Sequence, residues 1–160
     1  MTGSRLLLLA GGIAIAVAAV WALFGGSGDG PAGSRADAGD AELVAAGRRI
    51  YAEACASCHG AALEGQSNWR RRAADGRLPA PPHDASGHSW HHDDQTLFAV
   101  TKHGPAAIAG AGYSSDMPAF GQTLSDGDIW AVLAYIKSTW PGDVQAKQMQ
   151  ITLQAEGKRR

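Results

Sequence analysis

The chain has 160 residues, a formal net charge of −1 and 21 glycines. That length suits one modest domain plus a further segment, and the balanced charge leaves no footprint of a nucleic-acid binder. Two cysteines are too few for a disulfide-stapled scaffold, and the glycine content points to loops and tight turns.

In chain order, residues 1–5 form a short basic start, and residues 6–24, LLLLAGGIAIAVAAVWALF, carry no charge. As a helix that run would be roughly 28 Å long, close to the hydrocarbon thickness of a bilayer. A cleaved signal peptide has a shorter apolar region and ends in small residues. This run ends in Trp21, Leu23 and Phe24, so an uncleaved transmembrane anchor is expected. Arg5 on the short upstream side leaves the N-terminus in the cytoplasm and exports the rest. Residues 25–40 are rich in Gly, Ser and Asp and read as a flexible linker spanning roughly 20–25 Å.

Residues 41–141 are expected to hold the folded domain, and their signals are helical. Asp40 is placed to cap a first helix, AELVAAGRRIYAEA, whose apolar positions recur at spacings of three and four. Asp93 or Asp94 is placed to cap a second, QTLFAVTKH, with Gly104 as its stop and Pro105 beyond. Ser125 is placed to cap a third, in which Ile129, Val132, Leu133, Ile136 and Trp140 form one apolar stripe. Between the first two lies a Gly- and Pro-containing loop over residues 60–92, long for a compact domain. Three such helices offer little core, so something other than side chains is expected to fill the middle. Residues 142–160 have little apolar surface and read as a peripheral polar tail. The basic runs Arg70-Arg71-Arg72 and Lys158-Arg159-Arg160 read as solvated faces.

The first helix runs into CASCH, which holds both cysteines, Cys55 and Cys58, followed by His59. A structural zinc site needs four ligands, and no second cysteine pair exists; the histidines at 83, 88, 91, 92 and 103 could supply partners, but only His83/His88 and His88/His92 fall at an H-x3–5-H spacing. A thioredoxin-like redox pair follows a strand in a βαβ unit, and no strand is legible here. The remaining reading is covalent haem: two sulfurs reach two vinyl groups, and the next residue offers an imidazole to the iron. A second axial ligand is then required. Met117 in SSDMPAFG is the candidate, with His103 as its rival; Met149 lies in the tail.

These residues together resemble the class I cytochrome c family over residues 41–141, through CASCH at 55–59, MPAF at 117–120 and IWAVLAYIKS at 129–138. The resemblance implies an all-α cytochrome c fold, three or more helices around one covalently bound haem c, behind an N-terminal transmembrane helix. It implies that Cys55 and Cys58 hold the haem and that His59 and Met117 are the axial iron ligands. It sets Gly47 and Tyr51 at a helix crossing against Val132 and Tyr135. It calls for a proline carbonyl on the haem histidine, with Pro79, Pro81 and Pro82 equal candidates. Trp90 or a nearby Arg or His is a candidate for a haem propionate, and copper at the histidine cluster is an alternative role for those residues. The whole chain is similar to small bacterial membrane-anchored monohaem cytochromes c. The implied function is single-electron transport at the periplasmic side of the bacterial inner membrane. The implied partners are redox protein donors and acceptors and membrane lipid, with no enzymatic activity, nucleic acid or small-molecule substrate expected. The alternative is a haem-bearing subunit or accessory module of a membrane oxidoreductase complex. A haem-based sensor or enzyme would require Met117 to be displaced.

Overall fold

The computed structural model describes residues 36–160. The anchor expected at 6–24 and most of the linker lie outside the described residues. Among the described residues no helix is long and apolar enough to cross a membrane. The described residues are helical, with no strand: α1 (Ala41–Ala54), a single turn α2 (Ala56–His59), a 3-10 turn (Ser89–His91), α3 (Asp94–His103), α4 (Pro105–Ala109), α5 (Asp126–Ser138) and α6 (Gly142–Arg159).

Local chemistry explains where the longer helices begin. The Asp40 carboxylate accepts from the backbone N–H groups of Glu42 and Leu43, both at 3.0 Å. Ser125 and Asp128 close a reciprocal capping box at the start of α5. Asp93, not Asp94, caps α3, accepting from the N–H groups of Gln95 and Thr96. Pro105 occupies the first turn of α4, where a missing N–H costs nothing.

The helices α1 and α5 make the most extensive packing pair. Gly47 lies against the Ala131 carbonyl there, and a Cβ at Gly47 would stand 1.9 Å from that oxygen. The Tyr51 and Tyr135 rings meet alongside, with centroids 5.4 Å apart. One core cluster joins Tyr51, Leu63, Val132, Ile136 and Trp140; another joins Ala36, Ile129, Leu133 and Ala134. Phe98 of α3 stacks on Trp130 at 4.4 Å beside the second.

The long loop after α2 is ordered by specific contacts rather than by regular structure. Buried Leu63 anchors it, and its carbonyl accepts from the N–H groups of His83 and Asp84. The Trp140 indole donates to the His83 carbonyl at 2.7 Å. Gly87 packs so closely on Pro82 that a Cβ would lie 2.0 Å from the proline carbonyl.

The segment after Pro141 departs from expectation. It forms an 18-residue helix, and it is docked rather than peripheral. Gln148 and Thr152 are fully buried against the start of α3, and Arg159 reaches Asp93 at 3.2 Å. Hydrophobic periodicity misses this because the docking groups are polar.

Asp93 therefore serves both as a helix cap and as an anchor for α6. Burial pushes its carboxyl pKa up, but hydrogen bonds from Thr96 and the Arg159 guanidinium outweigh that and hold it below the ordinary value. Asp93→Ala is expected to cost about 1–2 kcal/mol, seen as a lower urea midpoint. A group whose folded pKa is depressed contributes fully above its unfolded pKa. The difference between wild type and variant should therefore be complete above about pH 4 and close as pH falls further.

Candidate functional site

Helix α1 ends at Cys55, whose N–H still donates to the Tyr51 carbonyl at 2.9 Å. The chain then makes one more turn, with the N–H groups of Cys58 and His59 both bonded to the Cys55 carbonyl. Gly60, at φ +82°, ends that turn. Residues three apart on a helical turn share a face, so the cysteine side chains are neighbours. Both thiols are free; Cys55 is half-buried and Cys58 exposed. Burial pushes the Cys55 thiol up to about 11, with neighbouring Cys58 adding to the effect. The Tyr51 hydroxyl donates to the Gly60 carbonyl at 3.0 Å, pinning the exit of the turn to α1.

His59 is buried, and its Nδ1 lies 2.8 Å from the Pro81 carbonyl oxygen. A carbonyl only accepts, so Nδ1 carries the proton and Nε2 keeps a free lone pair. Of the three candidate prolines, Pro81 holds this position. Burial lowers the His59 pKa, partly opposed by that hydrogen bond. The His83 ring stacks on His59 with centroids 3.8 Å apart. Burial, with His59 and His88 nearby, pushes His83 down to about 3. Its buried Nδ1 has no partner within the described protein.

Cys55, Cys58, His59 and Met117 all border one cavity of about 640 Å³. Its walls are largely apolar, supplied by Leu97, Val100, Val132, Leu133 and Ile136. Arg70, His88, His92 and Lys137 add polar groups. The size and the mix of apolar wall with few polar groups suit a sizeable, mostly apolar ligand. The donor set fits haem: two thiols on one turn, an imidazole nitrogen left free by its neighbour, and a thioether, with the buried, unpartnered Nδ1 of His83 belonging to a residue of the same lining. Met117 lies on the segment between α4 and α5. Its N–H donates to Ser115 Oγ at 3.1 Å. Two straps tie this segment to the long loop: Arg77 pairs with Asp116, and Arg72 sits over the Tyr113 ring. His103 is exposed at the end of α3 and does not border the cavity.

The loop histidines have other placements. Trp90 donates its indole N–H to the Ala85 carbonyl and stacks on His91, so it serves the loop itself. Trp69 stacks on His88, with the Arg70 guanidinium 4.1 Å from the Trp69 ring centroid; all three border the cavity. Among the described residues no three His, Cys, Asp or Glu side chains are grouped to hold a metal ion, so copper at the histidine cluster finds no support. Sequence reasoning did not single out His83 beside His59, nor Lys137. The one available signal was a lysine inside the apolar run of α5.

The family model described as cytochrome c oxidase, cbb3-type, subunit III matches residues 42–136. A curated relative, the cbb3-type cytochrome c oxidase subunit CcoP of Azospirillum sp. (strain B510), is 31% identical over 105 residues. The match covers 66% of this chain and 31% of the relative, so the chain corresponds to about a third of that protein. No solved structure matches the chain.

Proposed function

Because the chain belongs to the cytochrome c oxidase, cbb3-type, subunit III family, a family of electron-transferring c-type cytochromes, we propose that it carries single electrons through one haem c held by Cys55, Cys58, His59 and Met117. The observation that carries this reading is that all four side chains border the same cavity although Met117 is remote from the others in sequence. A bound haem c supplies a one-electron Fe(III)/Fe(II) couple. Cys55 and Cys58 would hold it through two thioethers, each S–H adding across one vinyl C=C with no oxidant required. Pro81 fixes the His59 tautomer, leaving Nε2 as the neutral nitrogen that would hold the iron of a bound haem. Met117, on the same cavity, would supply a soft thioether to the iron. A haem held by His59 and Met117 as well as by both cysteines would favour electron transfer over oxygen binding or substrate chemistry.

Residues 6–24 act as the anchor in this reading, and the haem domain works at the periplasmic face of the bacterial inner membrane. A short tether raises the effective concentration of the domain near membrane-bound redox partners. A second reading is favoured by the relative, which is named as an oxidase subunit. In it the chain is a haem-bearing subunit or accessory module of a membrane oxidase. Solubilised membranes separate the two: a stable complex that co-purifies with the chain selects the subunit, and a monomer exchanging electrons with several small carriers selects the free carrier.

The direct test is the full chain expressed with a c-type maturation system. A pyridine haemochrome with a two-thioether signal and one haem per chain is expected. Its absence would overturn the reading.

A further inference from the structure

Lys137 is 4% exposed, in the last turn of α5. Its Nζ donates to both oxygens of Asp94, at 2.8 and 2.9 Å, and Asp94 is 2% exposed. Helix α6 closes over the pair. The Gln148 side-chain amide donates to Asp94 Oδ1 at 2.7 Å, and Thr152 Oγ1 accepts from the Asp94 backbone N–H at 3.1 Å. Gln148 and Thr152 are both fully buried. Three helices therefore converge on one buried ion pair.

Stability alone is a poor reason for such a pair. Desolvating two charges costs about as much as their attraction returns, and apolar residues of similar volume often serve as well. The placement is also asymmetric. Lys137 borders the cavity beside Leu133 and Ile136, whereas Asp94 does not. An ammonium has three N–H donors; Asp94 takes two, and no acceptor for the third is found among the described residues. The pair is thus a fixed dipole with its cationic member at the cavity wall. A cation there, in a poorly screened interior, favours whichever state of the bound group carries less positive charge. Uptake of one electron from a donor protein lowers that charge by one.

We propose that Lys137 is a positioning residue for charge: held by Asp94 and clamped by Gln148 and Thr152 of α6, it raises the reduction potential of the haem. The proposal rests on the haem reading above. It gives the docked α6 a role in the redox site, since loosening that helix would release Asp94 and, through it, Lys137.

The test is spectroelectrochemical titration of the full chain as the wild type and the variants Lys137→Met, Asp94→Asn, Lys137→Met/Asp94→Asn and Lys137→Arg. Lys137→Met leaves a lone carboxylate near the cavity and should shift the redox equilibrium with a partner at least about tenfold toward the oxidised form, about 59 mV for one electron. Asp94→Asn leaves a lone cation and should shift it the opposite way. The double variant should fall between wild type and Lys137→Met, and Lys137→Arg should lie within about threefold of wild type. Loosened packing would move every variant in one direction, as water entered the site. A common direction, or no shift, therefore overturns the proposal. Should Lys137→Met fail to fold, an Asp94→Asn potential at or below wild type overturns it equally. Haem present with flat potentials removes only the role of Lys137; no covalent haem in the wild type removes the functional reading and this proposal together.

Discussion

Gly47→Ala should destabilise the domain by about 3 kcal/mol, at or beyond the upper end of the usual cost of overpacking. Helix propensity predicts the opposite sign, because Ala is favoured over Gly in a helix interior by about 1 kcal/mol. The crossing decides against propensity. The new Cβ would lie 1.9 Å from the Ala131 carbonyl oxygen, 2.5 Å from its carbon and 2.9 Å from Tyr135 Cβ. Two of those three atoms are backbone, so no rotamer change relieves the contact, and α1 must lift off α5. Tyr51 lies one turn further along and is fully buried at the same seam, so its packing against Val132 and Ile136 would loosen too. Urea unfolding of the haem-loaded chain checks this. Ala45→Gly, at an exposed position of the same helix, is the control and should cost only about 1 kcal/mol. A Gly47→Ala loss no larger than that control would mean that the crossing yields easily.

Met117→Ala should leave haem covalently attached and open the iron to external ligands. The proposed attachment residues, Cys55 between α1 and α2 and Cys58 on α2, are far along the chain from Met117, so thioether formation should not depend on it. The expected signs are loss of the weak methionine–iron band near the red end of the visible spectrum and ready carbon monoxide binding by the reduced variant but not by the wild type. Methionine–histidine ligation raises the potential. The variant should therefore shift at least about tenfold toward the oxidised form against a fixed partner, about 59 mV or more. A surviving methionine band would overturn Met117 as the ligand. Loss of covalent haem would show instead that Met117 acts in folding around the cofactor. Because Arg77 pairs with Asp116 next to Met117, the loop over residues 60–92 helps to hold the Met117 segment.

Several features were legible from residues alone because they are short-range. Asp40 and Ser125 announce helix starts through side chains that reach N–H groups two or three residues on. The spacing of Cys55 and Cys58 sets them on one face of one turn. The stripe through Ile129, Val132, Leu133 and Ile136 names the buried face of α5. Gly47 and Tyr51 were placed at the crossing only through family resemblance; nothing in the spacing tells an intolerant helical glycine from a tolerant one.

Other features depend on groups that meet only when the chain is folded. Pro79, Pro81 and Pro82 were equal candidates until the loop brought the Pro81 carbonyl to His59 Nδ1. His83 looked like any loop histidine before it stacked on His59. The last helix carries too little apolar surface to be recognised as docked, yet Gln148, Thr152 and Arg159 bind it to Asp94 and Asp93 by hydrogen bonds. Hydrophobic periodicity records apolar burial and is silent about polar docking. The sequence by itself determined the helix starts, the apolar stripe and the chemistry of the cysteine turn, all of which depend on neighbours a few residues away. Only the tertiary structure decided which proline serves His59, that Met117 rather than His103 borders the cavity, and that a buried lysine stands at its wall. Those choices depend on where distant segments come to rest, and side-chain chemistry along the chain does not encode that distance.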